Sequence, residues 1–133
     1  MVDRFGKFDV IIDDGSHKMS HQQISLGFLF SFLNPGGLYI IEDLATSIPG
    51  IFPNHKDFPA YLREEEKIST LDFLKMLESR QPASSPFMSI EEIKYLHKNC
   101  DRCEIYPGIR QKVNNDYHDP TIAVIHKSKS EKY

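Results

Sequence analysis

Apolar residues fall in short blocks separated by polar, turn-forming stretches. The first block, Phe8 to Ile12, is rich in β-branched residues and does not alternate with polar ones. That pattern predicts a strand covered on both faces, as in a parallel sheet. Asp13-Asp14-Gly15-Ser16-His17 then breaks it. Ile24, Phe28 and Phe32 recur at helical spacing, Leu29 and Leu33 widen the stripe, and Ser20 with Gln23 three residues on predicts a capping box at the helix start. Asn34-Pro35-Gly36-Gly37 ends this helix and turns the chain. Leu38 to Ile41 predicts a second buried strand, closed by Glu42-Asp43. A strand, a helix and a strand in this order predict a right-handed crossover joining parallel strands.

No period holds from Ala45 to about Glu66, where Pro49, Pro53 and Pro59 alternate with Phe52, Phe58 and Tyr61. A long irregular loop of this kind serves as a lid or binding loop, or is disordered. The three aromatics are candidates for an acceptor pocket or for packing beneath the lid, and Glu64-Glu65-Glu66 for a solvated face. Ser69 or Thr70 can cap a helix carrying Leu71, Leu74 and Leu77. Gln81 to Pro86 reads as a linker. Ser89 with Glu92 is a second capping box, opening a helix through Leu96. Arg102–Tyr106 and Thr121–His126 read as strands, with a turn-rich excursion between them from Pro107 to Pro120. The expected class is α/β, with one domain over residues 1–127 and a frayed, flexible charged tail over 128–133.

Composition narrows the function. The 133 residues are 40% apolar and 26% charged, with a net charge of −3, which suits a small domain with a real core. The charge is too low for nucleic acid to be the expected partner, and no apolar run is long enough to cross a membrane. Two cysteines are too few for a disulfide scaffold, so the expected compartment is the reducing cytoplasm. Cys100-Asp101-Arg102-Cys103, with His97 just before it, admits a zinc or redox reading, but the motif sits between a helix and a strand, and half-buried thiols are the simpler expectation. His17 and His21, four residues apart, could share a helix face, but no third soft ligand lies near them.

The acidic pairs Asp13-Asp14 and Glu42-Asp43 are the strongest chemical signal. Each follows a predicted strand, and ligands of open α/β sheets bind beyond the carboxyl ends of strands. Neighbouring strands run roughly 4.8 Å apart, so carboxylates from two such ends can meet at one hard cation. Oxygen ligation favours Mg²⁺, Mn²⁺ or Ca²⁺. Helix caps and solvated turns are the plain alternative, and a phosphoacceptor aspartate is a third.

The stretch from Phe8 to His17, then Leu33-Asn34-Pro35-Gly36-Gly37, then Tyr39 to Leu44, resembles the class I S-adenosylmethionine-dependent methyltransferases that O-methylate macrolide sugars. The Pro-Gly-Gly turn is common to class I methyltransferases. The Asp-Gly-Ser-His and Ile-Glu-Asp elements in this order are more specific. The resemblance implies that Asp14, Glu42 and Asp43 ligate Mg²⁺ and that His17 is the general base. It places Asp13 and Gly15 near the methionine end of S-adenosylmethionine, and it implies a small hydroxylated acceptor. Ala45 stands where the family often has a further polar residue or His, which affects substrate details.

The implied chemistry needs these parts. Methyl transfer to a hydroxyl is an in-line displacement in which the hydroxyl must lose its proton. A divalent cation lowers the hydroxyl's pKa, and a histidine titrating near neutrality can take the proton. The resemblance also implies an incomplete Rossmann-like methyltransferase fold, matching strands four to seven of seven with the last hairpin antiparallel. The Gly-rich turn after the family's first strand and the acid after its second have no counterpart here. The main S-adenosylmethionine site is therefore expected to be missing, and weak or no cofactor binding is expected of this chain alone. The strand over 8–12 is expected to have an open edge that could pair in a homodimer. A non-catalytic metal-binding or dimerising remnant, and a different Mg²⁺-dependent transferase or hydrolase, are the rival functions.

Overall fold

The computed structural model describes residues 6–47, 68–108, 111–113, 116–118 and 121–133. Strand β1 (Phe8–Asp13) is followed by helix α1 (Met19–Leu29), a 3₁₀ turn (Phe30–Phe32) and strand β2 (Leu33–Ile41). A second 3₁₀ turn (Leu44–Ser47) follows, then α2 (Thr70–Glu78), α3 (Ile90–Asn99) and β3 (Cys100–Tyr106). A small hairpin of β4 (Gln111–Val113) and β5 (Asp116–His118) precedes β6 (Ile122–Lys127). The main sheet has the order β1-β2-β6-β3, with β4 and β5 forming a separate pair. β1 and β2 are parallel, and β6 runs antiparallel to both β2 and β3. The crossover and the antiparallel final hairpin match expectation.

The Asn-Pro-Gly-Gly segment, expected to end the helix and turn the chain, lies instead within β2: α1 stops at Leu29 and the 3₁₀ turn Phe30–Phe32 makes the bend. Asn34 Nδ2 donates to Asp9 Oδ1 at 2.8 Å, and the backbone N–H of Gly36 donates to the Ser128 carbonyl at 3.1 Å. Gly36 has φ +80, open to glycine at little cost, and a Cβ on Gly37 would meet the carbonyl oxygens of Asn34 and Asp9 at 2.9 Å.

One face of the sheet is covered. Tyr39 and Ile41 of β2, Ala123 and Ile125 of β6, and Cys100 and Cys103 of β3 are buried in a cluster with Leu26, Phe30, Phe73, Leu74, Leu77 and Leu96 from the helices. The other face is not: paired residues Val10–Leu38 and Ile12–Ile40 include Val10 at 48% and Ile12 at 57% exposure. The expectation that β1 is covered on both faces is therefore corrected among the described residues, where no β1 residue is buried.

The expected face of α1 is corrected as well. The helix buries Met19, Gln22, Gln23, Leu26 and Gly27, while Ile24 and Phe28 of the predicted stripe are exposed. The predicted capping box at Ser20 does not form: the helix starts at Met19, with Lys18 as an N-cap that makes no side-chain cap bond. Gln23 is fully buried instead, donating to the Ile68 carbonyl and accepting from Ser85 Oγ at 2.6 Å. The caps expected further on do form: Ser69 accepts from Asp72 N, and Ser89 with Glu92 makes the full capping box.

Residues 128–133 carry defined partners where a loose end was expected. Lys127 Nζ is buried, donating to the Leu33 carbonyl at 2.8 Å and to Glu131 at 3.1 Å. Tyr95 Oη and Lys7 also donate to Glu131, and Lys132 N donates to Asn99 Oδ1 at 2.6 Å. Among the described residues, no helix is long and apolar enough to cross a membrane.

Candidate metal centre

Parallel pairing sets the site. Asp13 lies opposite Ile41, and Glu42 N donates to the Asp13 carbonyl at 3.0 Å. The two strands therefore end level, and Asp14 leaves β1 beside Glu42-Asp43 leaving β2. Two residues then take a backbone conformation that few L-residues adopt, His17 at φ 58 and Asp43 at φ 52. Strained positions of this kind cluster at functional sites, although Asp and His tolerate them better than most residues.

The consequence is convergence. His17 Nε2 lies 3.8 Å from Asp14 Oδ1 and 3.5 Å from Asp43 Oδ2. Among the described residues, Asp14, His17 and Asp43 are grouped as a possible metal-holding set, with ligand atoms within 4.8 Å of one another. Oxygen ligands sit roughly 2.0–2.6 Å from Mg²⁺ or Ca²⁺, so atoms this close can share one such ion. The donor set fits a divalent cation: two carboxylates suit Mg²⁺ or Mn²⁺, and an imidazole widens the choice.

Glu42 is not in that group. It is half-buried, and its backbone carbonyl accepts from Gln22 Nε2 at 3.4 Å. His21 is also outside the group, with Nδ1 2.7 Å from Ser16 Oγ. Asp13 turns back on its own loop: its carboxylate accepts from Gly15 N at 3.3 Å and from Tyr39 Oη at 3.5 Å. Burial, more than any charge beside it, holds the Asp13 carboxyl above its ordinary range. Asp13 and Gly15 both line two neighbouring cavities, of about 280 and 300 Å³.

The comparisons with known proteins fit this arrangement. No family model matches the chain. It is 39% identical over 77 residues to 8-demethyl-8-alpha-L-rhamnosyl tetracenomycin-C 2'-O-methyltransferase from Streptomyces olivaceus, covering 58% of this chain and 18% of that protein. It is 52% identical over 44 residues to mycinamicin VI 2''-O-methyltransferase from Micromonospora griseorubida, covering 33% of this chain and 11% of that protein. The solved structure of MycE methyltransferase in complex with Mg and SAH matches with TM-score 0.59 and 27% identity, over 96% of this chain and 27% of that one. In sequence and in fold, this chain is similar to part of the sugar O-methyltransferases.

The fold is thus a partial Rossmann-like methyltransferase fold, and the chain spans about a quarter of the solved relative's length. Against that background the cysteine motif loses its rival readings. The pairing of β3 with β6 shifts register between Cys100 and Arg102, which turns both thiols to the covered face. Burial pushes the Cys100 thiol up to about 11 and the Cys103 thiol to about 12, the reverse of a reactive or metal-ready thiol. His97 Nε2 accepts from Ala83 N at 3.1 Å. Phe52, Phe58, Tyr61 and the Glu64–Glu66 run lie outside the described residues.

Sequence reasoning missed Gln22, which is 2% exposed in the wall of the smaller cavity. Two adjacent glutamines inside an apolar helix were the available signal.

Proposed function

We propose that this chain carries the metal-holding and acceptor-activating part of an S-adenosylmethionine- and Mg²⁺-dependent O-methyltransferase acting on a hydroxyl of a sugar or sugar-bearing natural product. The supporting observation is the meeting of Asp14, His17 and Asp43 beyond two level parallel strand ends, in a chain similar to proteins named as sugar O-methyltransferases. Solved relatives hold Mg and SAH, and one also holds mycinamycin VI.

In this reading Asp14 and Asp43 hold the cation, and Glu42, the residue just after β2, joins them when it binds. The bound cation lowers the pKa of the acceptor hydroxyl and fixes its direction. His17 takes the hydroxyl proton at Nε2, which stands 3.8 Å from Asp14 Oδ1 and 3.5 Å from Asp43 Oδ2. The acceptor oxygen gains the methyl group of S-adenosylmethionine, which leaves as the demethylated thioether. Asp13 and Gly15 border the cofactor's methionine end. A cytoplasmic location belongs to the same reading.

The open side of the sheet supports a second element of the proposal. β1 is an edge among the described strands, and its residues Val10 and Ile12 are exposed. Such an edge takes another strand, either the β1 of a second copy or a strand of a separately encoded half. A non-catalytic metal-binding or dimerising module is the competing reading, favoured by the missing Gly-rich turn.

Metal titration tests the main proposal. Mg²⁺ or Mn²⁺ is expected to bind the chain and to lose affinity in Asp14→Asn and Asp43→Asn. No binding of either ion at millimolar concentration would defeat it.

A further inference from the structure

We propose that Ser16 and His21 are positioning residues, joined in a clamp that holds the loop around His17 so that its imidazole stands beside Asp14 and Asp43. The inference rests on the reading of His17 as the proton acceptor and adds to it the two residues that aim it. His17 has φ 58, a conformation that L-residues keep only where their surroundings enforce it. The acids it reaches enforce little. Its Nε2 lies 3.8 Å from Asp14 and 3.5 Å from Asp43, whose side chains are 59% and 52% exposed, and exposed ion pairs of this kind are weak.

The residues on either side do more. The Ser16 hydroxyl accepts from the backbone N–H of Lys18 at 3.4 Å, a bond that spans His17 and closes the loop over it. The same hydroxyl lies 2.7 Å from His21 Nδ1, in the first turn of α1. One side chain thus ties the loop to itself and to the helix. Lys18 at the N-cap makes no side-chain cap bond, so the Ser16–His21 contact joins loop to helix where a cap ordinarily would. A hydroxyl both donates and accepts, whereas Nδ1 does one or the other according to its protonation. The contact therefore persists whichever ring nitrogen of His21 holds the proton. That suits a fixed clamp and leaves proton transfer to His17. His21 itself stands outside the metal-holding group, as a residue that aims the base without touching the reacting atoms would.

The test uses the whole chain, ¹⁵N-labelled and with ¹³C-labelled histidine rings, and needs no turnover. The wild type is expected to show the strong NOE between the amide proton and Hα of His17 that a positive φ produces. Ser16→Ala and His21→Leu are each expected to lower the population of that conformer about twofold to fivefold, the worth of one exposed hydrogen bond. Ser16→Thr keeps the hydroxyl, and His21→Asn keeps a polar atom where Nδ1 stands, so both are expected to restore it. Mn²⁺, standing in for Mg²⁺, then reads the aim of the base. In the wild type it is expected to broaden the backbone amides of Asp14 and Asp43 together with the His17 ring. In Ser16→Ala and His21→Leu the ring is expected to lose broadening relative to the two amides, which a merely structural role would not cause. A wild-type NOE and unchanged ring broadening in both variants overturn the inference. So does a large fall in melting temperature, which would make the pair a general prop of the fold, since both side chains are exposed. If Mn²⁺ leaves Asp14 and Asp43 unaffected in the wild type, the metal-dependent reading itself falls, and the NOE comparison decides the clamp alone.

Discussion

Asp43→Asn separates what the metal site does for stability from what the fold does for itself. The change removes one charge and keeps the side-chain shape. Asp43 sits at φ 52, a region that Asn tolerates as well as Asp, so the backbone is not strained further. Its side chain is 52% exposed, with Oδ2 3.5 Å from His17 Nε2, and an exposed ion pair of this kind contributes about 0–1 kcal/mol. The metal-free variant should therefore melt within a few degrees of the wild type. The metal term is larger. An ion at a hundred times its dissociation constant adds about 2.7 kcal/mol. One kcal/mol moves the midpoint of a domain of this size by about 4 °C, so saturating Mg²⁺ should raise it by about 10 °C. Loss of even an outer-shell partner weakens metal binding about 10–100-fold, and a lost carboxylate ligand should do at least as much. At a hundredfold loss the same Mg²⁺ concentration adds only about 0.4 kcal/mol. Thermal melts of both proteins, with Mg²⁺ and with a chelator, measure each term. An undiminished Mg²⁺ shift in Asp43→Asn would refute the site.

The remaining predictions address the other parts of the reading. Glu42→Gln should weaken Mg²⁺ binding less than Asp14→Asn does, since Glu42 stands outside the grouped ligands; a calorimetric titration showing the larger loss at Glu42 contradicts this. Calorimetry with S-adenosylmethionine should show no micromolar binding by this chain alone, and such binding would overturn the assignment of the main cofactor site to elements absent from the sequence. Hydrogen bonding from Tyr95, then from Lys127 and Lys7, holds the Glu131 carboxyl down at about 2. Its folded pKa is thus below the unfolded one, so its stabilisation is complete above about pH 4.5 and is lost as pH falls towards 2. Glu131→Gln should remove that pH dependence from an acid titration followed by circular dichroism. It should also cost roughly 3 kcal/mol by leaving Lys127 buried without its carboxylate. Ile12→Lys should abolish any self-association through β1 seen by light scattering, while leaving the Mg²⁺ shift unchanged.

The site was more legible than the packing, and the reason is physical. That the pairs Asp13-Asp14 and Glu42-Asp43 end side by side was readable because strand ends in an α/β sheet fix where side chains emerge, and a parallel register then aligns them. Sequence spacing did not reveal that His17 would turn back to them. That depends on its left-handed backbone, and only the folded loop shows it. The caps at Ser69 and Ser89 were readable because capping is local. The capping box at Ser20 failed because Gln23 finds stronger partners far along the chain, at Ile68 and Ser85. Gln22 likewise spends its amide on the Glu42 carbonyl. Periodicity counts such residues as polar and assigns the core to the opposite stripe.

That opposite stripe carries its own argument. Ile24 and Phe28 on α1, and Val10 and Ile12 on β1, are about half exposed, where the sequence pattern expects them to be covered. Burying apolar surface is worth roughly 25 cal/mol per Å², so four large side chains left in water represent several kcal/mol of stabilisation not yet taken up. Isolated hydrophobic errors would scatter around the surface. Here the mismatches fall on the outermost strand and on the helix that follows it, where a continuing sheet or a second copy would add its layer.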